Sequence, residues 1–123
     1  MSTLIADLRI FKDIILESFL EGLTPRECAI RLGQKGFNPP PSESDLADNS
    51  AFLETMKQVL FDEFYDVEKV KSLMNLMMMV KTMTKGVYAL VEEGLRAANI
   101  AFWLPSAYVN ILRTKFGFAL NPK

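Results

Sequence analysis

An all-α fold of about five helices follows from three observations. Apolar residues recur at spacings of three and four over most of the 123 residues, the period of helices with one buried face. The helix-start signature Thr24-Pro25-Arg26-Glu27 stands early, and Gly22, Gly33, Gly36 and Gly117 follow periodic runs as helix stops do. No stretch reads convincingly as a strand. The length fits a single domain, 1–123, in two parts: an N-terminal helical unit, 1–65, and a long helix with an aromatic tail, 66–123.

The first helix is capped at Ser2-Thr3, with Asp7 near its positively polarised end. Leu4, Ile5, Leu8, Phe11, Ile14, Ile15, Ser18 and Phe19 hold its period, and Gly22 stops it. The second, Pro25 to about Gln34, starts on a Thr cap, a proline at the first helical position and Glu27 in capping-box register. Its inner face is Cys28, Ala29 and Leu32. Pro39-Pro40-Pro41 then imposes an extended segment. Ser42 opens a third helix carrying Leu46, Phe52, Leu53, Met56, Val59, Leu60 and Phe64, to about Tyr65.

The longest element is expected from Asp66 to Ile100. Leu73, Leu76, Val80, Met83, Val87 and Leu90 form a seam that Gly94, Ala97 and Ala101 continue with small residues. Its middle, Leu73 to Val80, is apolar almost all round, which predicts burial on every side. Gly86 is a weak point, expected to mark either a kink or a close helix approach. A short fifth helix, Ser106 to Arg113, follows Pro105 and stops near Gly117.

Composition narrows the function. The 14 basic and 15 acidic residues nearly balance, so no strongly basic nucleic-acid binder is announced. A single cysteine, Cys28, excludes an intrachain disulfide, and zero histidines exclude the usual triads and histidine-ligated metals. We expect no enzyme, cofactor or metal. The run Leu76 to Val80 falls far short of the ~20 residues of a membrane span. With no secretory signal visible, a cytoplasmic protein without a membrane partner is expected.

Four features carry chemistry. The methionines Met74, Met77, Met78, Met79 and Met83 suit an adaptable protein-binding surface or simple core filling. Phe102, Trp103, Tyr108, Phe116 and Phe118 suit either an oligomer or docking contact or a tail closing over the core. Asp62, Glu63, Asp66 and Glu68 have the composition of an acid–base or Mg²⁺ site, but a solvated helix end explains them better.

The fourth is the corner Phe19 to Gly33. A helix ends in Gly22-Leu23, the Thr24-Pro25 cap follows, and a short helix turns Ala29 and Leu32 inward. Through Gly22, Leu23, Thr24, Pro25, Glu27, Ala29 and Leu32, the segment resembles the first two helices of helix-turn-helix domains, including those of phage small terminase subunits. The resemblance covers about the first third of the chain. In that family long oligomerising helices follow, and the order here is similar. It implies a non-enzymatic DNA-binding homo-oligomer, a phage packaging subunit or small regulator. Arg26, Arg31, Gln34 and Lys35 would then meet the duplex DNA backbone, with Ser44, Asn49 and Ser50 at the groove. This sequence departs from the pattern in its long proline-rich link and in the acidic Glu43, Asp45 and Asp48 that follow. The alternative is a helical adaptor or structural assembly protein. It would dock a protein partner through Met74, Met77, Met78, Phe102, Trp103, Tyr108, Phe116 and Phe118.

Overall fold

The computed structural model describes residues 10–39 and 57–121. Among these residues the chain is helical without strands, as expected. The elements are α1 (Lys12–Leu20), α2 (Pro25–Gln34), a 3₁₀ turn (Asp62–Phe64), α3 (Val67–Met79), α4 (Lys85–Ala97), α5 (Ile100–Trp103) and α6 (Ser106–Lys115). Residues 57–61 are also helical and run into the 3₁₀ turn. The expected Ser2-Thr3 cap and the Ser42 start lie outside the described residues. None of the described helices is long and apolar enough to cross a membrane.

The α1–α2 corner forms by local rules. Gly22, at φ +76°, takes the left-handed conformation that ends α1. Its N–H donates to the Phe19 carbonyl and that of Leu23 to the Ser18 carbonyl, both at 3.0 Å. The Thr24 hydroxyl oxygen accepts from the Glu27 N–H at 3.2 Å, while Glu27 Oε1 accepts from the Thr24 N–H at 3.1 Å. The expected inner face of α2 (Cys28, Ala29 and Leu32) is buried, and α2 packs on α1. Gly36 repeats the left-handed stop at φ +112°, and Phe37 returns to Phe11 in an edge-to-face contact at 5.2 Å.

The long helix expected over Asp66 to Ile100 is two helices of 13 residues each. Asp66 caps α3, its carboxylate accepting from the Lys69 N–H at 2.8 Å. The chain turns extended at Val80, and Thr84 starts α4 by accepting from the Val87 N–H at 3.3 Å. Gly86 is therefore not the kink; it sits in the first turn of α4. A continuous rod would be about 50 Å long and would leave much of its apolar stripe uncovered. Broken at 80–84, the chain delivers Val70, Leu73, Met74 and Met77 of α3 and Val87, Val91, Gly94 and Leu95 of α4 to one core. The expectation of all-round burial for Leu73 to Val80 is also corrected. Met79 is 76% exposed and Met78 41%, because α3 lies at the surface with one face inward.

Ile15, Leu16, Leu20, Leu32, Leu60, Phe64, Leu95 and Ile100 complete the centre of the core. The C-terminal tail closes over it, with Phe116, Phe118 and Leu120 buried. Tyr88 meets Phe118 edge-on at 5.4 Å, Glu92 Oε2 accepts from the Ala119 N–H at 2.9 Å, and the Arg113 guanidinium donates to the Leu120 carbonyl. Gly117, at φ +70°, makes the bend that starts this return.

Candidate functional site

The helix-turn-helix-shaped corner carries mixed charge. Arg31 turns toward α1, where its guanidinium stands 3.0 Å from Glu21 Oε2 and 3.5 Å from Ser18 Oγ. Arg26, Gln34 and Lys35 are exposed, with Glu27 exposed beside Arg26. Arg26 and Arg31, five residues apart, thus diverge, and the arginine nearer α1 is ion-paired within the chain. Ser44, Asn49 and Ser50 lie outside the described residues.

The acidic residues Glu63, Asp66 and Glu68 divide among structural tasks. Asp66 caps α3, Glu68 is exposed 3.6 Å from Lys71, and Glu63 is buried at 2% exposure. Lys12 Nζ stands 3.1 Å from Glu63 Oε1, at ion-pair distance but off the best hydrogen-bond direction. Contact with Glu63, then its negative charge, holds the Lys12 ammonium above the usual lysine range despite partial desolvation. Among the described residues no three acidic, cysteine or histidine side chains converge as metal ligands would. Cys28 is buried, and burial pushes its thiol pKa up, so it is not an activated nucleophile.

A concavity of about 120 Å³ opens between α3 and α6. Met74 forms its buried floor, and Met78, Tyr108, Ile111, Asn75 and Lys71 line the rest. The Lys71 ammonium lies 5.5 Å from the centre of the Tyr108 ring, a cation–π contact at the rim. Three of the residues expected at a partner interface (Met74, Met78 and Tyr108) therefore meet here. Phe102 and Trp103 are exposed on α5, with the Trp103 indole N–H donating to the Ala98 carbonyl at 2.8 Å. Met77, Phe116 and Phe118 are buried within the chain itself.

A second, open groove of about 450 Å³ runs between the end of α1 and α4, lined by Phe19, Val87, Leu90, Lys57 and Glu93 among others. Sequence reasoning treated its apolar residues as core, because periodicity shows which residues share a face and not whether that face is fully covered.

Another missed signal was legible. Residues 1–68 hold 13 acidic and six basic residues, a balance of −7, whereas residues 69–123 hold two acidic and eight basic, a balance of +6. The near-zero total conceals this division. No family model, curated protein or solved structure matches the chain.

Proposed function

We propose that this protein is a non-enzymatic helical assembly protein that docks a protein partner on the face shared by α3 and α6. The observation that carries the reading is the concavity in which Met74, Met78 and Tyr108 meet. A flexible methionine wall beside an aromatic ring with a polar tip suits protein contact. The exposed Met79, Phe102 and Trp103 add apolar surface elsewhere on the same half of the chain. Mixed charge at the α1–α2 corner, with Arg31 paired to Glu21, weighs toward this reading over DNA. DNA binding is the second reading, favoured by the outward Arg26, Gln34 and Lys35.

The test combines two measurements. A photo-crosslinking residue replaces Met78 or, as a control on the far corner, Glu27. A discrete adduct from position 78 alone supports docking, and its mass identifies the partner. Light scattering with duplex DNA at low and moderate salt tests the second reading. Complex formation that falls steeply with salt and is lost in Arg26→Ala/Lys35→Ala would overturn the docking reading in favour of DNA.

A further inference from the structure

We infer that the occupant of the α3/α6 face is α1 of a second copy of this chain, bound head to tail; this deepens the docking reading above and rests on it. The first observation is the division of charge, −7 before Lys69 and +6 from there on. No acidic residue occurs from Lys69 to Val91 or from Gly94 to Lys123. Lys71 lines the concavity from α3, and Lys115 follows the lining residue Ile111 by one turn on α6. Glu68, beside Lys71, is the one acidic residue of α3, and α6 has none. The ion pairs Lys12–Glu63, Arg31–Glu21 and Lys71–Glu68 draw on no basic residue after Lys71.

The second observation is the matching ligand. Asp13 and Glu17, four residues apart, share one ridge of α1, and Ile10 stands just before the helix, across the turn at Phe11. Ile10 is 76% exposed, and Asp13 is exposed as well. Glu21 continues the acidic row but is engaged by Arg31. An apolar anchor followed by two carboxylates complements an apolar concavity with the Lys71 ammonium at its rim. Ile10 would enter against Met74, Met78 and Tyr108, and Asp13 and Glu17 would face Lys71 and Lys115. The two surfaces differ, so the contact is heterologous, and successive copies close a ring or extend a filament.

Sedimentation velocity over a range of concentrations tests this, using wild type, Lys71→Glu and Asp13→Lys, with circular dichroism to verify folding. Wild type is expected to associate at low salt, at least about tenfold more tightly than at high salt, since exposed charge pairs are screened. Each variant alone should remain monomeric where wild type associates. Their equimolar mixture should associate again, because both contacts then pair opposite charges: Asp13 of the Lys71→Glu chain with Lys71 of the other, and the two substituted positions with each other. Where a charge reversal unfolds the chain, Lys71→Gln and Asp13→Asn serve, each weakening association. A monomeric wild type at low salt, or association indifferent to both variants, overturns the inference. Two outcomes separate it from the docking reading. Association lost in Met78→Ser but untouched by Lys71→Glu and Asp13→Lys keeps the docking face and rejects charge pairing. A position-78 adduct with a different protein keeps the face and rejects the second copy.

Discussion

Gly94 lies against Phe64 so closely that a Cβ added at Gly94 would stand 2.0 Å from Cε2 of the ring, and 2.8 Å from Cε1 of Phe61. Hydrogen in place of a side chain is what lets α4 settle onto the segment that precedes α3. Phe64 is 1% exposed, so its ring has nowhere to move. Gly94→Ala should therefore destabilise by about 1–3 kcal/mol or more, the cost of overpacking a filled core. Gly86, in the same helix, meets nothing within 4 Å of an added Cβ. Gly86→Ala should stabilise by up to about 1 kcal/mol, the helix-propensity difference. Thermal melts of the two variants should shift in opposite directions; a shared direction would contradict this packing.

The pairing of Lys12 with buried Glu63 links α1 to the 3₁₀ turn. Lys12→Met leaves the carboxylate without its cation. The expected loss is about 1–3 kcal/mol, toward the lower end because the Lys12 side chain is 40% exposed. The folded-state pKa of Lys12 is raised. Its contribution is thus fully present below the ordinary lysine value of about 10.4 and is lost as pH rises through the higher folded value. Urea unfolding of wild type and variant should show a constant gap at neutral pH that narrows only in strong alkali.

Thr24→Ala removes the acceptor for the Glu27 N–H and should cost about 1 kcal/mol. Glu27 itself has a lowered pKa, chiefly through the hydrogen bond from the Thr24 N–H and then from its hydroxyl. Its contribution is present above the unfolded-state value and is lost as pH falls through the folded one. Glu27→Gln should therefore be less stable than wild type at neutral pH and equal to it in sufficiently acidic solution. Parallel denaturation curves at the two pH values check this.

The C-terminal tail is held by Arg113, Glu92 and the Tyr88–Phe118 contact. Phe118→Ala removes a ring that is 3% exposed and should cost up to about 3–5 kcal/mol, less where the tail undocks locally. Arg113→Gln should loosen residues 117–121 with little effect on α4. Hydrogen exchange resolves the two regions: faster exchange in the tail with protection kept at Val91 and Leu95 is the expected pattern.

Local chemistry determined much of this protein. The Thr24-Pro25-Arg26-Glu27 start, the stops at Gly22, Gly36 and Gly117, the bounds of α2 and the Asp66 cap all rest on residues within a few positions of one another. Hydrogen bonds that close over three or four residues are legible in a linear sequence. Cys28, Ala29 and Leu32 were readable as an inner face for the same reason. The residues of the α3/α6 concavity were legible only in part. Periodicity grouped the methionines, but only packing separated Met74 and Met77, turned inward, from Met78 and Met79, left outside.

Tertiary structure alone decided where the long seam breaks, because one unbroken 3-and-4 pattern serves a rod and two shorter helices equally well. The choice falls to the burial gained when both stripes share one core, with Thr84 available to cap the second helix. It also decided that Gly94 is a close-packing site and Gly86 is open, and that Phe116 and Phe118 seal the chain's own core. Each of these depends on which surface lies opposite, a relation between residues far apart in sequence.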